Sequence, residues 1–297
     1  MKRTGLWKTL VKYRAEYAFV SPFFILFLLF GMFPFCYSFS LSFFKWNASR
    51  PWDFVALKNY VTLFQDAIFW ESLWNVVFIF LTNVPLMTLL ALILAVMLNS
   101  EAVRVKDLFR VTYLLPYVTS VLAVSIVFYV LFDDSLGLIN LGLRGLGLKG
   151  VPWLTSAAFS KLSIVVMATW KWVGYNMIIA LAGLQSIDTE IYDAARIDGA
   201  GWWRTLFRIT VPLLRPVLFF LLIMSTIGTF NMFTEPYILT KGGPGYSSLT
   251  LVLYLYRVSF KFFELGYGAS IAMVTFILIL VPSMVQVKFM ARKEKET

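Results

Sequence analysis

Six long runs of this 297-residue chain are almost free of charge. Tyr17 to Phe44, Ser72 to Ser100 and Val111 to Phe132 contain no Asp, Glu, Lys or Arg. Leu162 to Ile187 contains only Lys171, and Pro216 to Thr234 and Leu265 to Val287 contain none. A helix that crosses a bilayer needs about 20 predominantly apolar residues. Inside hydrocarbon every backbone N–H and C=O must pair within the protein, which leaves helices as the economical solution for such runs. The expected fold is therefore an all-α integral membrane protein with six transmembrane helices, the fifth beginning near Ile209. Composition agrees: 60% of residues are hydrophobic and 14% charged, against about 45–50% and about 25% in soluble domains. The first run is too long for the apolar core of a signal peptide and reads as a retained anchor.

Several function classes fall away. The chain has no His, which removes His-based acid–base catalysis and mixed His/Cys zinc sites. Cys36 is the single cysteine, so no disulfide can form within the chain. The net charge of +10 is not gathered into one basic patch of the kind that binds nucleic acid. It alternates between the apolar runs. Lys2, Arg3, Lys8, Lys12 and Arg14 precede the first. Arg104, Lys106 and Arg110 follow the second, Arg196, Arg204, Arg208 and Arg215 the fourth, and Lys288, Arg292, Lys293 and Lys295 the last. The alternate loops are longer and hold fewer: Lys45, Arg50, Lys58, Arg144, Lys149, Lys161, Lys241, Arg257 and Lys261. The positive-inside rule then places both termini in the cytoplasm.

The cytoplasmic segment 188–215 is longer than the two to eight residues that usually join bundle helices. Asp188 can cap a helix whose first turn carries Glu190. Gly199 and Gly201 can end it, because glycine adopts the left-handed conformation of a C-terminal turn. A second amphipathic helix is expected from Trp202 to Arg208, with Pro212 and Pro216 leading into the fifth span. Small and aromatic residues without a core of their own fit a protein partner or the lipid headgroups.

Within this segment, Asp193-Ala194-Ala195, three residues, Gly199, nine residues, then Ile209-x-Val211-Pro212 resembles the cytoplasmic coupling motif of ABC importer permeases. Asp193 stands for the motif's Glu and Val211 for its Leu. FNMFTEPYILTKGGPGYSS, from Phe230 to Ser248, resembles the external end of the fifth core helix in maltose-type sugar permeases, and LTKGGP resembles the first permease of such pairs. The likeness runs from about Tyr17 to Val287. It implies a type I importer permease: a cytoplasmic segment 1–16, a six-helix permease domain 17–287 with coupling loop 188–215, and a cytoplasmic tail 288–297. It also implies a bacterial or archaeal cytoplasmic membrane as the location. The implied partners are a second homologous permease, two ATPase subunits, an extracytoplasmic solute-binding protein and a carbohydrate-like solute. ATP and Mg would be bound by the ATPases, with no cofactor in this chain. No G-x-x-x-x-G-K-[ST] phosphate loop occurs. Gly145, Gly147 and Gly150 spell G-x-G-x-x-G in an external loop, with no strand before them to make a dinucleotide site.

ATPase coupling is expected at Asp193, Ala194, Ala195, Gly199, Ile209 and Pro212. The same resemblance points to Gly174, Phe230 and Asn231 at the solute site. Trp170, Met177 and Thr234 join them by helical spacing alone. Lys171 is the one charge well inside a span, where a cation faces a bundle interior or a wet cavity; it suits an anionic solute, a subunit partner or a snorkelling position. A secondary transporter is the alternative class, but no paired broken helices or matching halves are visible. A membrane-embedded enzyme would need nucleophile, base or metal ligands that the spans lack.

Overall fold

The computed structural model describes residues 13–47, 52–100 and 103–293, the last three without their side chains. Lys2, Arg3, Lys8, Lys12, Arg50 and Lys295 lie outside the described residues. The chain divides into two compact units: residues 1–63 with 258–273, and residues 64–257 with 274–297.

In the first unit, α1 (Arg14–Leu41) is continuous through a π-helical turn at Leu28–Met32. It buries no residue before Leu41. Phe19, Phe23 and Phe30 are strongly exposed, as a helix surrounded by lipid or by a partner requires. A two-residue hairpin follows, β1 (Phe44–Lys45) against β2 (Asp53–Phe54), with Phe44 opposite Phe54. This is a small departure from the all-helical expectation. α2 (Lys58–Gln65) packs its Asn59 beneath the hairpin, where Nδ2 donates to Ser42 O at 2.8 Å and Phe44 O at 2.9 Å. Gly266 in the last helix lets Phe44 approach: a Cβ there would lie 1.9 Å from Phe44 O.

The second unit is built on α3 (Ala67–Asn99) and α7 (Ala157–Gln185), which pack along one another. Asp66 caps α3 by accepting from Ile68 N–H at 2.8 Å. Thr169 donates to Asn83 Oδ1 at 2.9 Å across the pair, so two buried polar groups satisfy each other. Ala91, Ala95, Ala180 and Gly183 supply small surfaces for close helix approach.

The third apolar run is not one helix. α4 (Lys106–Val118) and α5 (Val121–Leu131) meet at 94°. Thr119 and Ser120 are extended between them, and Pro116 lacks the N–H that would help carry the helix on. The fifth run also differs from expectation. α9 (Trp202–Leu213) turns by 68° into α10 (Arg215–Phe230), so the straight part of that span starts at Arg215 rather than near Ile209. Among the described residues four helices are long and apolar enough to cross a membrane, or up to six if each bent pair is one span.

The segments that follow the third and fifth apolar runs carry short helices that the charge-free runs do not predict: α6 (Leu138–Gly145), α11 (Thr234–Leu239) and α12 (Leu251–Tyr256). Buried Asn140 ties down the first. Its Nδ2 donates to Asp134 O and Val151 O, and its Oδ1 accepts from Val151 N–H and Trp153 Nε1–H. Asn75 on α3 holds the loop before α12 by donating to Tyr246 O at 2.7 Å and Leu249 O at 3.1 Å. The last helix, α13 (Leu265–Lys293), passes through both units, and Gln286 donates to Thr226 Oγ1 of α10 at 3.0 Å.

Candidate functional site

The segment 188–215 folds as a helix, a glycine turn and a second helix. Asp188 accepts from Glu190 N–H at 3.0 Å and starts α8 (Thr189–Ile197). Gly199, at φ 70°, ends it. Gly199 N–H donates to Arg196 O at 3.1 Å and Ala200 N–H to Ala195 O at 2.9 Å. Those two bonds make a Schellman turn, which satisfies terminal carbonyls and demands a left-handed residue at Gly199. Tyr192 and Thr210 join their hydroxyls at 3.3 Å, bracing the two arms.

The second arm is less regular than expected. It is α-helical over Trp202–Thr205, then π-helical over Leu206–Thr210, where Val211 N–H reaches back to Leu206 O. Pro212 has no N–H for the carbonyl of Arg208, so the regular ladder could not have continued there. Leu214, at the bend, is buried among Ala91, Leu181, Leu184 and Leu221. The residues expected to couple therefore divide by exposure. Asp193, Ala194 and Gly199 are exposed, Ile209 and Pro212 half-buried, and Ala195 buried. Ile197, Trp202, Trp203 and Phe207 form an apolar surface beside them, with Trp203 and Phe207 stacked at 5.9 Å.

The expected solute residues fall into two groups. Trp170 is half exposed with its ring on Phe128, and Asn231 is exposed, its Nδ2 donating to Ile227 O at 2.9 Å. Thr234 is half-buried at the start of α11. The others are covered by this chain. Phe230 packs on Phe80, and Met177 lies within the core of α3 and α7. Gly174 is a close-approach glycine: a Cβ would lie 1.7 Å from Tyr113 O of α4. Lys171 is buried, and its Nζ donates to Thr119 O at 2.7 Å, Pro116 O at 3.1 Å and Tyr117 O at 3.4 Å. Its charge thus faces the broken end of α4. Trp172 and Tyr175 are engaged with Tyr117, which stacks on Tyr175 at 4.5 Å.

The sequence reading missed Glu235, a buried acid in the first turn of α11. α11 packs against α7, the helix that carries Lys171. The available signal was the need of an intramembrane lysine for a counter-charge.

The family model for the binding-protein-dependent transport system inner membrane component matches residues 87–295. The chain belongs to that family: it is a membrane permease component of a binding-protein-dependent transport system. Among its relatives, the lactose transport system permease protein LacF of Rhizobium radiobacter is 40% identical over 283 residues, covering 94% of each chain. The arabinooligosaccharides transport system permease protein AraP of Bacillus subtilis is 37% identical over 292 residues, covering 97% of this chain and 92% of the relative. The trehalose/maltose transport system permease protein MalF of Thermococcus litoralis is 34% identical over 79% of each. A crystal structure of a bacterial ABC transporter that imports the acidic polysaccharide alginate contains a chain of the same fold, with a TM-score of 0.84 at 24% identity, covering 97% of this chain and 98% of that one. The fold is that of a type I importer permease.

Proposed function

We propose that this chain is one of two permease subunits of an ATP-driven importer that takes a small saccharide into the cytoplasm. The observation that carries the reading is the braced helix–turn–helix at 188–215, set at the end of a permease fold and exposing the motif residues Asp193, Ala194 and Gly199. The relatives named for lactose, arabinooligosaccharides and trehalose/maltose support a di- or oligosaccharide as the solute.

The loop transmits force and does no chemistry. Two ATPase subunits bind ATP and Mg and hydrolyse ATP, and α8 sits on one of them as a short rigid peg. The Tyr192–Thr210 strut passes its displacement to the second arm. Leu214, locked in the core of α3, α7 and α10, carries it into the spans. The outcome is a rigid-body rocking between outward and inward exposure. Both termini and the 188–215 loop face the cytoplasm, and the 132–156 and 240–264 segments face the binding protein. On this reading Trp170 offers a ring to a sugar face and Asn231 an amide to a hydroxyl, while Gly174, Met177, Phe230 and Lys171 shape the wall from behind. A secondary transporter would have no use for the coupling loop.

The test is reconstitution. Co-expressed with its partner permease and ATPase, the chain should co-purify with both. In vesicles supplied with the binding protein, the assembly should hydrolyse ATP and take up at least one of lactose, maltose and arabinotriose. The isolated chain should not hydrolyse ATP; hydrolysis above a contaminant control would overturn the reading.

A further inference from the structure

A broken helix at membrane depth leaves carbonyls with no amide to accept from and no water to replace it. α4 ends in this way at Val118, and the chain runs extended through Thr119 and Ser120 before α5. An ammonium has three N–H donors and no acceptor, and the C-terminal end of a helix carries partial negative charge. Lys171 meets both conditions: it is buried, and its three contacts are Thr119 O, Pro116 O and Tyr117 O. Three residues on, Gly174 lets Tyr113 O of the same helix come close. Two neighbouring positions of α7 thus hold α4, one by charge and one by the absence of a side chain.

The fifth span is interrupted too. α10 ends at Phe230, and α11 begins at Thr234 and packs against α5. Glu235 there is buried, α11 packs also against α7, the helix that carries Lys171, and among the described residues Glu235 makes no ion pair within 4.0 Å. A buried carboxylate left without a cation partner is costly. In this structure the ammonium is committed to the carbonyls instead.

We propose that Lys171 is the pin of a two-position latch: it holds the carbonyls of the third-span break in the conformation described here, and moves to the Glu235 carboxylate when α5 and α11 shift against α7 during transport. Lys171 is on this account a positioning residue, and the long flexible lysine stem makes the exchange possible without unfolding either helix. The second position rests on the importer reading; the first does not.

The experiment uses the full importer with Cys36→Ser and spin labels at Leu108→Cys and Val130→Cys, both exposed and on opposite sides of the break. Without nucleotide, the unsubstituted latch should give one narrow label-to-label distance. Lys171→Met should lose that single population, and Lys171→Arg, which can still donate to carbonyls, should keep it. With ATP and vanadate, the distance should move to a second value. Glu235→Gln should keep the first distance and lose the second. Thermal midpoints are measured on every variant. A merely structural lysine would lower the midpoint in Lys171→Met and leave its distances unchanged, and that result overturns the pin. A shift in Glu235→Gln equal to that of the unsubstituted protein overturns the second position. Should Lys171→Met not assemble, Lys171→Arg and Glu235→Gln decide the matter by the same distances. A complex that hydrolyses no ATP refutes the importer reading, and the nucleotide-free distances still decide whether Lys171 is the pin.

Discussion

Replacing Gly174 with alanine is the smallest change that tests how α4 is held. A Cβ on the present backbone would lie 1.7 Å from Tyr113 O and 2.4 Å from Tyr113 C. Ordinary contact begins near 3.4 Å, so α4 must retreat from α7 by about 1.7 Å, the difference of the two distances. The obstacle is backbone, and no rotamer change relieves it. Forcing an extra carbon into a packed interior costs about 1–3 kcal/mol. A retreat of that size also carries Thr119 O, now 2.7 Å from Lys171 Nζ, beyond hydrogen-bonding distance unless the lysine stem follows it. Hydrogen bonds to a charged group are worth about 1.5–3 kcal/mol each, so failure of the pin brings the loss to the upper end of the range or beyond. The assay is thermal unfolding of the detergent-solubilised complex, followed by retention of its elution peak. Gly142→Ala is the control: nothing lies within 4 Å of its Cβ, and alanine favours a helix interior by about 1 kcal/mol. Gly174→Ala should melt well below Gly142→Ala. Equal midpoints would refute the close packing of α4 on α7.

Three further outcomes are expected. Gly199→Val forces a β-branched residue into the left-handed turn at a cost of about 1–2 kcal/mol; permease pairing should survive while the ATPases dissociate or hydrolyse ATP without uptake, measured together in vesicles. Asn231→Ala, or loss of the Trp170 ring in Trp170→Ala, should lower uptake at subsaturating sugar by up to roughly tenfold with assembly intact, since a net hydrogen bond is worth about 0.5–1.5 kcal/mol. In a Cys36→Ser background, cysteines at Leu146 and Ile197, two strongly exposed positions, should react with an impermeant maleimide from opposite faces of sealed cells; reaction of both from outside would refute the orientation.

The positions of the long apolar helices were legible because hydrocarbon solubility is written residue by residue, as in the run Ser72–Ser100. The turn at Gly199 was legible for a similar reason, since a Schellman turn depends on a few adjacent residues. The bends were not. Whether a helix with Pro116 near its end kinks or stops depends on what meets the freed carbonyls, and that is Lys171, 52 residues beyond Thr119. Proline alone does not decide it: Pro85 and Pro282 lie inside unbroken helices. Glu235 escaped because the charge-free run ended one residue before it, which made a buried acid look like the first residue of a loop. Gly174 and Met177 sit at helical spacing from Trp170, but spacing assigns a face without saying what that face meets. In this fold it meets α4 for Gly174 and the α3 core for Met177.

Those two outcomes bear on where a solute can pass. Much of the polar inventory in the spans is spent within the chain: Asn83 on Thr169, Asn176 on the carbonyl of Trp172, Gln286 on Thr226. Each of these groups would be costly to free again in a low-dielectric interior. A pathway running through the middle of this single chain would have to free them. A pathway along its surface would not, and Asn231 and Trp170 are exposed there. On the proposed importer reading, the placement favours a solute route shared with a second permease, in which this chain supplies one wall and the polar groups behind that wall set its shape.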